Sequence, residues 1–243
     1  MNDLIDSTEM YLRTIWELEE EGIRPIRARL VERLHLSAPA VSETVARLEA
    51  EELLRLRDDR TVELTALGRQ RAVSVMRKHR LAERLLVDVI GLDWPLVHVE
   101  ACRWEHVISD AAERRLVAVL DAPTHDAHGN PIPGAEATTV TAGSALISLT
   151  DAAIPGGVDV SIARMSEHLQ ADVDTMRRFH EHGLLPGARA RAVQTEGGTR
   201  VTVNGEAIEL DDAIADLVYV TVAPGHEPSR APNVTADREG AAS

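Results

Sequence analysis

Residues 79–106 contain side chains whose types and spacing suit the binding of a transition metal. His79 and Glu83 are four positions apart, so they share one face of a helix. A second set with helical spacing consists of His98, Cys102, Glu105 and His106. At about 100° per residue, this second set spans an arc of only about 100°. Imidazole, thiolate and carboxylate groups placed in this way predict one metal site or two adjacent ones.

Two other interpretations of these residues stay open at this point. The polar side chains could line a helix face for structural reasons alone. Alternatively, Cys102 could be a nucleophile activated by His106. A carboxylate as near as that of Glu105 is expected to raise the pKa of the thiol, which counts against a nucleophile. A sulfur ligand disfavours Mg²⁺ and Ca²⁺, but the order of metal affinities does not choose among iron, cobalt, nickel, copper and zinc.

The chain has 243 residues and a formal net charge of −14, which by itself argues against nucleic-acid binding. Arginines are nevertheless concentrated near the N-terminus, at positions 24, 27, 29, 33, 47, 55, 57 and 60. An acidic chain can still present one basic face. The single cysteine, the acidic N-terminus and the lack of a long apolar run predict a cytoplasmic protein with no membrane partner.

The first 64 residues have the pattern of a winged helix-turn-helix. Apolar spacing predicts helices over 3–21, 27–34 and 38–51, and alternation over 53–64 predicts a β-hairpin. In this fold the second helix of the motif enters the major groove, while arginines contact phosphates. The predicted DNA-contacting residues are Ser7, Arg27, Ala28, Arg29, Ser37, Pro39, Ala40, Ser42, Glu43, Arg47 and Arg60. Winged helices also bind proteins, and the arginine cluster is what favours DNA here.

Two longer helices are predicted next, over 66–90 and from 93 to about 120. Their apolar surface exceeds what one winged helix can cover, which suggests a two-fold dimer interface. Residues 121–143 are rich in Pro, Gly, Thr and Ala and predict a long, partly mobile linker. His125 and His128 lie in this linker without a partner at helical spacing.

Short alternating runs beyond residue 145 predict six strands of a small SH3-like barrel, interrupted by one helix over 166–182. Asn204-Gly205 predicts a two-residue hairpin. The fold class is therefore mainly α with a small β domain. The predicted segments are a winged-helix DNA-binding domain (1–73), a helical metal-binding and dimerisation domain (74–140), a linker (141–150), an SH3-like domain (151–223) and a disordered tail (224–243).

Three segments resemble the diphtheria toxin repressor and iron-dependent regulator family. They are TEMYLRTI at 8–15, MRKHRLAERLL at 76–86 and EACRWEHV at 100–107, and the run GNPIPG at 129–134 is similar as well. The resemblance is strong over residues 1–134, loose over the barrel and absent from the tail. It implies a dimeric DNA-binding regulator with two metal sites in each subunit.

The resemblance also assigns ligands to both sites. The implied primary site consists of Met10, Cys102, Glu105 and His106. The implied ancillary site consists of His79, Glu83 and His98, completed by Glu167 and Gln170 from the barrel helix. Considered by itself, Met10 is an ordinary core residue of the first helix, and the resemblance makes it a ligand. Met10 with Cys102 is the iron-type pattern, because manganese-responsive relatives carry carboxylates at both places.

The recognition helix departs from the family pattern at two positions. Glu43 stands where the family commonly has Gln, which pairs with adenine, whereas a glutamate accepts a hydrogen bond from cytosine and is repelled by phosphate. Ala40 lacks a hydroxyl that some relatives use for a phosphate contact. The departures leave the operator sequence open.

The resulting hypothesis is a cytoplasmic, dimeric, Fe²⁺-activated repressor that binds palindromic operators of iron-homeostasis genes and is not an enzyme. Co²⁺, Ni²⁺, Mn²⁺ or Zn²⁺ are expected substitutes for Fe²⁺, and two dimers on one operator are a further expectation. The alternatives are a regulator that responds to manganese or another divalent metal, a metal-dependent enzyme, and a thiol redox sensor that uses Cys102.

Overall fold

The structure is a computed structural model, and it describes residues 7–134 and 146–222. Within these ranges the chain forms two compact units, each described separately below. The first contains residues 7–134 and 165–180, and the second contains residues 146–164 and 181–222. Among the described residues, no helix is both long enough and apolar enough to cross a membrane.

The first unit begins with the winged helix-turn-helix that the sequence predicts. Its elements are α1 (Ser7–Glu20), α2 (Arg27–Leu34), α3 (Ala38–Ala50) and the antiparallel hairpin of β1 (Leu54–Leu56) and β2 (Val62–Leu64). The Ser37 hydroxyl caps α3 by accepting a hydrogen bond from the backbone N–H of Ala40. The shared core includes Leu12, Ile15, Leu30, Val45, Leu48 and Leu54. The predicted start of the first helix, at residue 3, lies outside the described residues.

The long helix α4 (Ala66–Leu85) carries His79 and Glu83. A π-helical turn over Leu86–Ile90 continues it, and Gly91 ends it with a φ of 75°. The predicted helix over 66–90 is thus confirmed, with a wider last turn. Small and branched apolar residues of α4 and the following helix pack together: Ala82, Leu86, Val97 and Ala101.

The prediction of one continuous helix from residue 93 to about 120 is wrong. The chain forms a short 3₁₀ turn (Trp94–Leu96), then α5 (Val97–Trp104), and then a separate α6 (Asp110–Val119). The reason is Ser109, whose hydroxyl accepts the backbone N–H of Ala112 and caps a new helix. Glu105 and His106 therefore lie in the turn after α5.

The prediction of a mobile linker is wrong for residues 121–134, and residues 135–145 lie outside the described part. Asp126, His128, Asn130 and Ile132 are buried. One carboxylate oxygen of Asp126 accepts the backbone N–H groups of His128 and Asn130, each at 2.8 Å. The Trp94 indole also donates to the carbonyl of Ala127 at 2.9 Å. Buried apolar surface and satisfied backbone groups order this segment in spite of its composition.

The helix predicted over 166–182 is two helices, α8 (Glu167–Gln170) and α9 (Val173–Glu181). Asp172 lies between the two helices, and its carboxylate accepts hydrogen bonds from both the backbone N–H and the hydroxyl of Thr175. These bonds start a new helix instead of continuing α8. Residues 165–180 belong to the first compact unit, so Glu167 and Gln170 lie in the same unit as His79.

The second unit is a six-stranded sheet with the order β3-β8-β4-β5-β6-β7. The strands are β3 (Ile147–Ser148), β4 (Val158–Met165), β5 (Arg189–Thr195), β6 (Gly198–Val203), β7 (Glu206–Leu210) and β8 (Val218–Val222), and the short helices are α7 (Leu149–Ala152) and α10 (Asp212–Ala215). Asn204 and Gly205 join β6 to β7 with φ angles of 52° and 90°, as the hairpin prediction requires. The predicted fold class, mainly α with a small C-terminal β domain, is confirmed. The predicted tail lies outside the described residues.

Candidate metal centre

Four of the predicted ancillary ligands meet in the first unit, and all four are buried: His79, Glu83, His98 and Glu167. Their ligand atoms lie within 4.8 Å of one another. One oxygen of Glu83 is 3.0 Å from His79 Nε2 and 3.4 Å from His98 Nδ1. Glu167 Oε2 is 3.4 Å and 3.3 Å from the same two nitrogens. Helices α4, α5 and α8 therefore supply donors to one point.

Several buried atoms of this cluster make no hydrogen bond within the described part of the chain: His98 Nδ1, Glu167 Oε2 and Gln170 Oε1. The Gln170 amide nitrogen donates to the carbonyl of Met165 at 2.9 Å, which leaves the amide oxygen free. Buried polar atoms without a partner are rare because each one has lost its water. A divalent transition ion would satisfy them, and imidazole, carboxylate and amide oxygen are suitable ligands for it. The residues present therefore fit such an ion.

The electrostatics of the cluster agree with a cation site. Burial raises the pKa of the Glu83 and Glu167 carboxyls, yet the imidazoles of His128 and His79 hold these two pKa values well below the ordinary range. Burial likewise opposes the charged forms of His79 and His98, but neighbouring anions raise both pKa values well above the ordinary value. An ion that binds here therefore competes with protons on the imidazole nitrogens.

Arg13 of α1 lies between two of the predicted primary ligands. Its Nη1 atom is 2.8 Å from both carboxylate oxygens of Glu105 and 3.3 Å from Cys102 Sγ. The Arg13 side chain is buried, and its Nε bonds to Glu17. A carboxylate and a sulfur that converge on one cationic nitrogen form a cation site. Cys102 and Glu105 would also suit a divalent ion, provided that the Arg13 guanidinium moves away from them.

The other two predicted primary ligands flank this point. His106 Nε2 is buried 3.2 Å from Glu105 Oε1, and it makes no hydrogen bond among the described residues. His106 Nδ1 is 2.6 Å from a carboxylate oxygen of Glu9. Met10 is partly buried on α1, one turn before Arg13. Coordination by its sulfur stays a prediction.

The two predicted sites are contiguous rather than separate. Glu105 accepts a hydrogen bond from His79 Nδ1 at 2.6 Å, and Cys102 Sγ is 3.5 Å from His98 Nε2. The ligand atoms of His79, His98 and Cys102 also lie within 4.8 Å of one another. A change at one site therefore reaches the other through shared side chains.

The pKa of the Cys102 thiol shifts in the opposite direction to the one expected from the sequence. Burial raises its pKa, but Arg13 and His98 together hold that pKa well below the ordinary value. The expected increase from the Glu105 carboxylate is wrong, because Arg13 stands beside both groups and neutralises the carboxylate. The lowered pKa favours the thiolate form of Cys102, which is the soft ligand that a transition metal binds.

Sequence analysis missed four residues of this centre: Arg13, Arg80, Asp126 and His128. Arg80 is buried completely and contacts Glu20 and Glu167. His128 Nδ1 lies 2.8 Å from Glu83. These contacts join positions far apart in the chain, and helical spacing carries no signal for them.

The predicted DNA-contacting residues of α3 are accessible. Ser37, Pro39, Ser42 and Glu43 are exposed on its first two turns, whereas Ala40 is partly buried. Arg47 is exposed one turn further along and pairs with Glu51 at 2.8 Å. Exposed ion pairs of this kind are weak, so such an arginine can exchange its carboxylate for a phosphate.

The remaining predicted DNA contacts lie on α1, α2 and the hairpin. Ser7, Ala28, Arg29 and Arg60 are exposed, and Arg27 is partly buried. Arg29 pairs with Glu32 at 2.7 Å. This pair is exposed like that of Arg47, so Arg29 can likewise exchange its carboxylate for a phosphate.

Three family models match consecutive parts of the chain. "Iron dependent repressor, N-terminal DNA binding domain" matches residues 3–62. "Iron dependent repressor, metal binding and dimerisation domain" matches residues 65–134, and "FeoA domain" matches residues 148–222. The candidate metal centre falls mainly in the second of these segments.

Characterised relatives match nearly the whole chain. The iron-dependent repressor IdeR of Mycobacterium tuberculosis (strain ATCC 25618 / H37Rv) is 50% identical over 227 residues, which cover 90% of this chain and 99% of the relative. The chain belongs to the iron-dependent repressor family. The diphtheria toxin repressor of Corynebacterium diphtheriae is 46% identical over 223 residues, with 90% and 99% covered.

Solved structures place this member of the iron-dependent repressor family among metal regulators of the same fold. A manganese-dependent transcriptional repressor in complex with manganese superposes with a TM-score of 0.75 at 30% identity, covering 89% of this chain and all of the other. IdeR of T. acidophilum superposes with a TM-score of 0.72 at 26% identity, covering 90% and 99%. Family membership identifies a DNA-binding, metal-binding repressor, and the choice of metal needs a further argument.

Proposed function

We propose that this chain is a dimeric repressor whose binding to a palindromic DNA operator requires Fe²⁺. The observation that carries the proposal is the convergence of buried donors from helices α4, α5 and α8, several of them without a hydrogen-bond partner among the described residues. A site of this kind binds a cation tightly only when its helices are in place, and Arg13 of α1 contacts the adjoining donors Cys102 and Glu105. Cation binding is therefore linked to one arrangement of the DNA-binding helices.

The proposed primary site uses Met10, Cys102, Glu105 and His106, and the proposed ancillary site uses His79, Glu83, His98, Glu167 and Gln170. When bound, a divalent ion supplies two positive charges at the point now faced by the Arg13 guanidinium. A thiolate from Cys102 favours Fe²⁺, Co²⁺, Ni²⁺ or Zn²⁺ over Mn²⁺. The IdeR relatives are named for iron, which supports Fe²⁺ as the natural ion.

The residues of α1 connect the primary site to the DNA-binding surface. Arg13 and Met10 lie on α1, and Arg47 of the recognition helix α3 approaches the Thr8 hydroxyl of α1 at 3.4 Å. Leu12 and Ile15 of α1 pack in the winged-helix core. The position of α1 therefore fixes the position of the recognition helix. The position of α1 in turn depends on the side chains that join it to the turn after α5, such as Arg13 and Glu105.

The test is operator binding by anaerobic fluorescence anisotropy, on a palindrome selected from random DNA. We expect binding in Fe²⁺ and no binding in chelator, with Cys102→Ser losing the response to Fe²⁺. A parallel series in Mn²⁺ tests the manganese alternative. Equal affinity in metal and in chelator would overturn the proposal, and a response to Mn²⁺ alone would overturn the choice of iron.

An exposed apolar surface supports the proposed homodimer. Val89, Ile90 and Val107 are 58%, 54% and 61% exposed, and apolar side chains that are exposed together mark candidate interaction sites. All three lie in the segment matched by the metal-binding and dimerisation family model. We infer that a second copy of the chain covers them.

Charged residues on this surface are expected to dissociate the dimer. The double variant Val89→Asp/Ile90→Asp buries two carboxylates without partners and should weaken dimerisation by about 100-fold or more. Sedimentation velocity measures the change. Leu67→Asp is the matched control: Leu67 is 46% exposed on α4, roughly 33 Å along the helix from Val89. A dimer that survives the double variant, or is lost equally in the control, would contradict the assignment.

Glu43 is expected to set the base preference of the operator. Its carboxylate accepts a hydrogen bond from cytosine, so Glu43→Gln should move the preference at one position in each half-site from cytosine to adenine. The expected discrimination is about 10-fold, measured by selection from random DNA. Glu32→Gln removes an equal charge from α2 and should raise affinity for all sequences alike. Unchanged selection with Glu43→Gln would show that this residue reads no base.

The segment boundaries 1–73, 74–140, 141–150, 151–223 and 224–243 also remain a proposal. The order of the three matched family segments supports it. Residues 165–180 modify it, because they pack with the first compact unit and supply Glu167 and Gln170.

A further inference from the structure

A second group of buried metal-ligand side chains adjoins the ancillary cluster and extends beyond both proposed sites. It consists of Glu83, Asp126 and His128, whose ligand atoms lie within 4.8 Å of one another. All three residues are at most 4% exposed. Glu83 belongs to both groups, so the two are joined through one carboxylate.

The two oxygens of Glu83 face in different directions. Oε1 is 3.0 Å from His79 and 3.4 Å from His98, on the ancillary side. Oε2 is 2.8 Å from Nδ1 of His128, on the other side. A carboxylate that gives one oxygen to each of two donor groups has the arrangement of a bridging ligand in a two-metal site.

Asp126 contributes an oxygen with no hydrogen-bond partner among the described residues. Its Oδ1 atom is saturated by two backbone N–H groups, whereas the buried Oδ2 accepts no hydrogen bond from them. The Arg80 Nε atom is 3.6 Å from Oδ2, beyond hydrogen-bond distance. Arg80 makes shorter contacts to Glu20 and Glu167, at 2.6 Å and 3.0 Å. Asp126 Oδ2 is therefore available to bind another cation.

The loop that carries Asp126 and His128 is held rigidly. Trp94 packs against the His128 ring with a centroid separation of 4.7 Å and donates to the carbonyl of Ala127. The Asn130 side chain donates to the carbonyl of Met165 at 3.0 Å. A preformed loop reduces the entropy cost of binding an ion.

We infer that Glu83, Asp126 and His128 bind an additional divalent cation, bridged by Glu83 to the ion of the ancillary site. The inference rests on the proposed function, because Glu83 is shared with the ancillary site. One imidazole and two carboxylates, without sulfur, suit Mn²⁺ or Fe²⁺. Two ions that share one carboxylate lie about 4 Å apart.

The test uses Mn²⁺ as the probe on the full-length, metal-stripped chain. Equilibrium dialysis with atomic spectroscopy counts bound ions, and electron paramagnetic resonance detects the magnetic coupling between two bridged Mn²⁺ ions. We expect a coupled signal in the wild type. Asp126→Asn/His128→Gln should bind one ion fewer per chain and lose the coupled signal. The amide oxygen that replaces Oδ1 of Asp126 would still accept the two backbone N–H bonds, so that the loop keeps its shape.

Two controls separate this site from its neighbours. His125→Asn changes an exposed histidine of the same loop and should keep both the ion count and the coupled signal. Met10→Ala should lower the count while it keeps the coupled signal, because Met10 is a proposed primary ligand on α1 and not a ligand of the bridged pair. If the double variant unfolds in chelator, His128→Gln alone serves, with the same loss expected.

Each outcome decides between two roles for these residues. An equal ion count in wild type and double variant, with no coupled signal, would overturn the inference and leave Asp126 and His128 as groups that orient Glu83. The proposed function would stand, because Fe²⁺-dependent operator binding is measured separately. A wild-type chain that binds no divalent ion would overturn both.

Discussion

Arg80→Met is expected to lower the free energy of unfolding of the metal-free protein by about 3–5 kcal/mol. The Arg80 side chain is completely buried and contacts Glu20 and Glu167. It also donates to the carbonyl of Pro131 and lies over the Trp16 ring at 5.0 Å. Methionine fills a similar volume but removes the guanidinium that neutralises the buried Glu167 and the partly buried Glu20, and breaking a buried ion pair by removing one partner is strongly destabilising.

The measurement is thermal and urea unfolding in chelator, so that no metal ion compensates for the lost charge. A decrease of this size corresponds to a Tm lower by about 10 °C. Arg84→Met is the matched control, one turn further along the same helix. The Arg84 side chain is 33% exposed and pairs with Asp88 on the surface, so its removal should cost under about 1 kcal/mol. Equal losses in the two variants would contradict a special role for Arg80.

Glu105→Gln is expected to abolish the Fe²⁺ dependence of operator binding. Glu105 is 1% exposed and accepts a hydrogen bond from Arg13. Burial raises the pKa of its carboxyl group, but Arg13 and His79 outweigh burial and lower that pKa to about 2. The group is therefore an anion at neutral pH. Glutamine keeps the shape but removes the charge and turns an N–H₂ donor towards other donors. Metal affinity should fall by about 100-fold or more, since even supporting residues of metal sites contribute 10–100-fold.

Operator anisotropy with and without Fe²⁺ measures this effect, together with metal binding by dialysis. Glu100→Gln is the control, because Glu100 lies on α5 and contacts Arg103 and Trp104 at the surface. Its response to Fe²⁺ should equal that of the wild type. If Glu105→Gln keeps the response, Glu105 is not a ligand. If the variant binds the operator equally well in chelator, Glu105 instead holds the inactive state through Arg13.

Local sequence patterns determined the elements of the N-terminal part. Apolar spacing located α1 to α4, and the alternating run located the β-hairpin, because the side-chain periods of helix and strand are local properties. The i,i+4 pair of His79 and Glu83 was readable for the same reason. Ser109 is a residue type that caps helices, so the sequence contained a local signal for the start of α6. The continuous helix was predicted instead because the amphipathic pattern extends on both sides of Ser109.

The tertiary structure decided which of these side chains share one centre. Arg13 contacts Cys102 and Glu105 across 89 and 92 positions of sequence, and His128 meets Glu83 across 45. Pairings of this kind depend on the packing of whole elements, and no periodicity within an element encodes them. The sequence by itself thus predicted the candidate ligand types and the exposed helix α3 that is proposed to read DNA. Only the packing of the elements decided that Arg13 lies beside the proposed primary donors, that α8 belongs to the first unit, and that Asp126 adjoins the cluster. The physical reason is that a buried charged group loses its hydration and must lie beside a partner that compensates for the loss, and that partner can be far away in sequence.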